Sequence, residues 1–181
     1  ANLTHMVILE EGIFTGPGNR DVEIDFTLIL QSANPANPSI IDCQASPADP
    51  HRAFMIWDGE VNLSYLTFRN GYADNGGAVF VDGGLPVFDH CRFEHNTAGM
   101  MGGAAHADHG DVVVFTNCIF DENMAVQAGG AAYAGASTEI RIYNSTLFRN
   151  ESPAGSGVFL YVNALGRINS SIIAWGIGGS A

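Results

Sequence analysis

The sequence predicts an all-β chain wound as a parallel β-helix, a solenoid of about six to seven coils with a period of about 26 residues. Three observations predict it. An asparagine followed by a glycine pair recurs at fixed spacing. The segments between recurrences are short and rich in β-branched and aromatic residues, which favours strands. No stretch carries the apolar period of an amphipathic helix.

The repeat is clearest from "NGYADNGGAVF" at Asn70, "NTAGMMGGAAH" at Asn96, "NMAVQAGGAAY" at Asn123 and "NESPAGSGVFL" at Asn150, separated by 26, 27 and 27 residues. In each unit a Gly or Ser stands six positions after the asparagine and a Gly follows it: Gly76–Gly77, Gly102–Gly103, Gly129–Gly130 and Ser156–Gly157. Upstream, Cys91, Cys118 and Ser145 hold one equivalent position, Phe93, Phe120 and Leu147 a second, and Phe88, Phe115 and Ile142 a third. The unit "LTFRN" fits with one residue missing between Phe68 and Asn70.

If each coil lies in register on the last, about 4.8 Å away, equivalent residues form columns. The Phe positions then fill the coil, and Cys91, Cys118 and Ser145 form a narrow column. The asparagines make a ladder whose amides satisfy one another and the buried backbone. Glycine pairs mark a bend that leaves no room for a Cβ. In-register Cβ atoms about 4.8 Å apart exceed the usual ~3.8 Å span of a disulfide, so none is expected between Cys91 and Cys118.

One domain covers residues 1–181, with irregular coils over 1–60, regular repeats over 61–165 and an incomplete coil over 166–181. Within the first part, "VILEEGIF", "VEIDF", "LILQS" and "SIIDC" read as strands, and "QASPADPHR" as an excursion from the barrel. The chain reads as a segment of something longer, because it opens inside a strand and closes without a cap.

Charge narrows the partners. The chain carries a net charge of -12, has no lysine, and only 14% of its residues are charged. Nucleic acid and anionic membrane surfaces both attract basic patches, so neither is expected. No apolar run is long enough for membrane insertion. The three cysteines cannot all pair, so they build no disulfide framework. Sequons begin at Asn2, Asn62, Asn144, Asn150 and Asn169, and matter only in a eukaryotic secreted protein.

"GIFTGPGNRDVEIDF", "SIIDCQ", "LTFRNGYADNGGAV" and the repeated Gly-Gly-Ala with Phe-x-x-Asn resemble the right-handed parallel β-helix proteins of the pectin-lyase-like superfamily. In particular they resemble the polymorphic outer-membrane-protein-type repeats of large secreted and surface proteins. The resemblance implies a right-handed solenoid, an extracellular or cell-surface setting, and a structural or adhesive role. It hands over no active site, because one fold hosts many functions.

Function must therefore sit on outward positions. After each glycine pair, Phe80, His106 and Tyr133 share one parity with Asp82 and Asp108, and aspartate is almost never buried unpaired. This parity is taken as outward, giving an exposed aromatic stripe over three coils that could stack on glycans. "HADHGD" adds His106, Asp108 and Asp111 to Asp82 as candidate ligands for Ca²⁺ or Zn²⁺, although the spacing matches no established metal loop. No cofactor is otherwise required.

The competing enzyme reading rests on Arg92, Glu94 and Asp121. The resemblance implies that a polysaccharide lyase on this scaffold would use a basic residue among acidic ones, and stacked carboxylates could serve a hydrolase. A third reading is a self-associating subunit whose coil ends stack. The expected function is a non-catalytic surface module, with glycans, other surface proteins or its own copies as partners.

Overall fold

The computed structural model describes residues 4–110 and 112–174, and shows about six turns of parallel β-solenoid. Three long sheets form its walls. The first contains His5–Leu9, Leu28–Ser32, Glu60–Ser64, Leu85–Asp89, Val112–Thr116, Glu139–Tyr143 and Leu165–Asn169. The second contains Ile13–Phe14, Ser39–Asp42, Leu66–Arg69, Arg92–Glu94, Ile119–Asp121, Thr146–Phe148 and Ile172–Ala174. The third contains Val22–Ile24, Phe54–Ile56, Val79–Val81, Ala105–Ala107, Ala132–Ala134 and Val158–Leu160. A short fourth ladder pairs Tyr72–Asn75, Thr97–Met101 and Met124–Ala125 between the second and third walls.

All these pairings are parallel, and the register puts Phe88 on Phe115 and Phe93 on Phe120, as the repeat predicts. Inside, the Phe columns stack face to face: Phe93 and Phe120 centroids lie 4.8 Å apart at 8°, and Phe88 and Phe115 lie 5.0 Å apart at 16°. The two columns meet edge to face, with Phe115 and Phe120 centroids 5.1 Å apart. These arrangements suit the ring quadrupole as well as removing apolar surface from water. The narrow column also forms. The Cys118 N–H donates to Ser145 Oγ at 3.0 Å, and all three cysteines are buried and free.

The asparagine ladder is continuous from Asn96 to Asn150. Asn96 Nδ2 donates to Phe68 O and to Asn123 Oδ1, both at 3.0 Å. Asn123 Nδ2 repeats this with Phe93 O and Asn150 Oδ1, and Asn150 Nδ2 reaches Phe120 O. Each Oδ1 also accepts a backbone N–H from the preceding coil.

Two positions correct the alignment. The Phe93–Phe68 register puts Gly71, not Asn70, at the first rung, and the Gly71 N–H donates to Asn96 Oδ1 at 2.9 Å. Asn70 turns outward and donates to Asp42 Oδ1. At the other end, the left-handed corner equivalent to Gly102 is Gly155, so Gly155–Ser156 rather than Ser156–Gly157 makes the bend. The physical reason is a variable connection between ladder and bend. The pairing between Ala98 and Met101 opposes only Ala73 and Asn75, so a bulge absorbs the extra residue.

Corners recur at fixed places. Tyr65, His90, Asn117, Asn144 and Ser170 take positive φ just before the second wall, and Asn70, His95, Glu122 and Arg149 take it just after. Gly76, Gly102, Gly129 and Gly155 do so before the third. At Gly103, a Cβ would lie 2.7 Å from the Met124 backbone nitrogen, so the bend packs directly against the next coil.

Candidate functional site

On the outer face of the third wall, register stacks Met55, Phe80, His106, Tyr133 and Phe159 in one column. The predicted aromatic stripe therefore exists, but it is not exposed. His106 is 3% and Tyr133 5% accessible, and Phe80 is half-buried. Stacking explains the burial. Phe80 and His106 lie 5.2 Å apart at 22°, His106 and Tyr133 4.8 Å at 17°, and Tyr133 and Phe159 5.6 Å at 6°. The ring faces point along the solenoid axis and cover one another, leaving no flat face for a sugar.

The flanks are also closed. The Arg52 guanidinium lies 5.3 Å from the Phe80 ring centroid, and Trp57 packs its edge on the same ring at 5.9 Å. Tyr161 stacks on Tyr133 from the far end. Burial holds the His106 imidazole below its ordinary pKa, opposed by the Asp108 carboxylate at 3.7 Å. His106 Nδ1 is buried and has no hydrogen-bond partner among the described residues. Burial, with the nearby charges of Asp108 and Tyr161, pushes the Tyr133 hydroxyl up.

The described metal candidates do not converge as a set, although His106 and Asp108 lie 3.7 Å apart. Asp82 pairs with the exposed His109 rather than with His106, while Asp108 accepts the His109 backbone N–H at 2.9 Å. Asp111 lies outside the described residues. Among the described residues, no three His, Cys, Asp or Glu side chains converge as a metal-ligand set.

Arg92, Glu94 and Asp121 do come together on the outer face of the second wall, with Glu94 paired to Asp121 in register. The carboxylates face guanidinium groups rather than each other. Arg92 Nε binds Glu94, Arg92 Nη2 binds Asp121 Oδ2 at 2.9 Å, and Arg149 binds Asp121 Oδ1 at 2.9 Å and Glu122 at 2.5 Å. This is an alternating ion-pair network in which Arg92 is engaged twice. Of the sequons, Asn150 is 2% accessible inside the ladder, whereas Asn62, Asn144 and Asn169 are exposed.

A constellation that the repeat did not flag lies where the excursion rejoins the solenoid. His51 Nδ1 meets Asp21 Oδ2, and His51 Nε2 meets Asp49 Oδ1 at 3.1 Å. Asp21 Oδ1 accepts the Arg52 backbone N–H at 3.0 Å, and Arg52 Nη1 donates to the Asn75 carbonyl at 2.7 Å. Burial lowers the Arg52 pKa against the opposing carboxylates of Asp21 and Asp74. Asp21, Pro50, His51, Arg52, Ala73 and Asp74 line a half-open cavity of about 230 Å³ with mixed polar and apolar walls. A larger cavity of about 350 Å³ lies in the first coils between residues such as Leu9, Phe14, Ile24 and Leu30, and is walled mainly by apolar side chains. The available sequence signal was the His-Arg pair at the return point of "QASPADPHR".

No curated protein and no solved structure matches the chain. The family model described as a right-handed beta helix region matches residues 28–174. That span runs from the second strand of the first wall through the last described strand of the second, so the chain belongs to this right-handed β-helix family.

Proposed function

We propose that this β-helix is a structural or adhesive module of an extracellular or cell-surface protein, acting as a stiff, non-catalytic rod. The observation that carries the reading is the unbroken stacking of columns along the axis. Side chains from Phe68 to Leu147 and amides from Asn96 to Asn150 tie each coil to the next. Six coils at about 4.8 Å each give a rod about 30 Å long whose wall strands pair in parallel with those of the neighbouring coils. Such a solid offers few local openings to a protease.

The polysaccharide-degrading alternative needs a free base near the carboxylates. The double engagement of Arg92 by Glu94 and Asp121 supports the scaffold reading instead. Limited proteolysis with a broad-specificity protease tests the rod: the described region should survive as one fragment after an unfolded control is consumed. Rapid internal cleavage sinks the proposal. Unsaturated products from polygalacturonate, lost on Arg92→Ala, would replace it with the lyase reading. Detection of a tagged parent protein on intact, unpermeabilised cells tests the location.

A further inference from the structure

The cavity beside Arg52 combines features that suit one kind of ligand. Its walls are fixed by His51 wedged between Asp21 and Asp49, and by the Arg52 N–H on Asp21. Asp74 is exposed, and among the described residues its side chain forms no hydrogen bond or ion pair, so its carboxylate offers free acceptors. Arg52 spends one N–H group on the Asn75 carbonyl and forms no direct ion pair among the described residues, so it retains donors. Pro50 and Ala73 supply small apolar surface.

A simple anion entering here would meet Asp21 and Asp74, and a simple cation would meet Arg52. A neutral group that both donates and accepts meets neither penalty, and adjacent hydroxyls on a ring do this at the spacing of a carboxylate or guanidinium. Drug-sized ligands fill cavities of roughly 300–1,000 Å³. The 230 Å³ available here therefore suits one sugar ring rather than an oligosaccharide.

We propose that the Asp21–His51–Arg52–Asp74 cavity binds a single neutral pyranose ring, with Asp74 accepting from its hydroxyls and Arg52 donating to them. This deepens the adhesive reading and rests on it for its purpose. The rod itself is judged by proteolysis, so either idea can fail alone.

Saturation-transfer NMR on the whole chain, with a panel of neutral methyl hexosides plus glycine and choline as charged probes, tests the proposal. At least one hexoside should bind saturably in the millimolar range. Asp74→Asn keeps the shape but removes the charge, and should weaken binding about tenfold, the worth of one charge-assisted hydrogen bond. Gly99→Val crowds the same carboxylate from another coil, because a Cβ at Gly99 would stand 3.4 Å from Asp74 Oδ1. It should also weaken binding, and an unchanged circular-dichroism spectrum would show that both variants fold. The proposal is overturned if no hexoside binds, if binding survives both substitutions unchanged, or if glycine or choline binds more tightly than every hexoside.

Discussion

Asn96 and Asn123 lie one coil apart, and the amide of the first donates to the amide oxygen of the second at 3.0 Å while both side chains are fully buried. Each asparagine thus serves as acceptor for the coil before it and donor to two groups around it. A buried amide with this many partners is stabilising only because none of its partners is left over.

Replacing Asn123 with Ala should therefore cost more than one hydrogen bond. It strands the Asn96 N–H, frees one of the two Asn96 Nδ2 hydrogens while the other stays on the Phe68 carbonyl, and takes a donor from the Phe93 carbonyl. At about 1–3 kcal/mol for each buried orphan, the loss should reach about 3 kcal/mol or more. Asn70→Gly, at the outward corner beside the ladder, should change stability by about 1 kcal/mol or less. Denaturant midpoints for the two variants give the comparison, and equal losses would mean that the ladder adds nothing beyond local turn geometry.

The period, the strand character and the inward columns were all legible in the sequence, because in-register stacking forces Phe88 above Phe115 and Cys91 above Cys118 to repeat as letters. The corners were much less so. Positive φ falls on Tyr65, His90, Asn117 and Ser170 in turn, since the stacked backbone imposes the conformation and tolerates many side chains. Aligning on Asn70 misplaced the first rung by one residue, because a bulge leaves no mark in composition. The parity after the glycine pairs identified the outward column correctly, yet exposure did not follow, because rings one coil apart hide each other's faces. The Arg52 cavity was illegible for a different reason. It joins residues 21, 51–52 and 73–74 through an excursion that breaks the period.

Two corners with similar backbones should respond oppositely to substitution. Ser137 is exposed at φ 61°, a conformation that costs an L side chain about 1 kcal/mol. Ser137→Gly should raise stability by about 0.5–1 kcal/mol. Gly102 has φ 71°, and a Cβ there would stand 2.8 Å from the Ala105 carbonyl carbon and 3.0 Å from the His106 Cβ. Gly102→Ala adds collision to strain and should lower the melting temperature clearly. Calorimetry on the pair checks both signs.

The thiols offer a direct readout of core integrity. Burial pushes the Cys43 thiol up to about 12, helped by the charges of Asp21 and Asp42, and burial raises Cys91 as well. Because the thiolate is the reactive form, Cys43 and Cys91 should resist a disulfide reagent at mild alkaline pH, and Cys118, 1% accessible, is out of the reagent's reach, so all three should stay unlabelled in the folded chain over an hour-scale reaction. In denaturant all three should react at once. Prompt labelling of the folded chain would show that the narrow column opens on the timescale of the reaction.

His106 should make stability depend on pH in a defined window. Burial holds its folded pKa below the ordinary value of 6.5, with Asp108 only partly opposing the shift. As pH falls through 6.5 the unfolded chain takes up a proton that the folded chain still refuses, so protonation favours unfolding. The stability contributed by the neutral ring is complete above that pH and declines below it, until the folded value is also passed. The slope attributable to one group is at most about 1.4 kcal/mol per pH unit. His106→Phe keeps a ring between Phe80 and Tyr133 but removes the titration. Melting temperatures of the two proteins, measured from about pH 7.5 down to about pH 5, should diverge in favour of the variant as the solution becomes acidic. A gap that stays constant across this range would mean that His106 keeps the same protonation equilibrium folded and unfolded, and that its stack is open enough to water to hydrate an imidazolium.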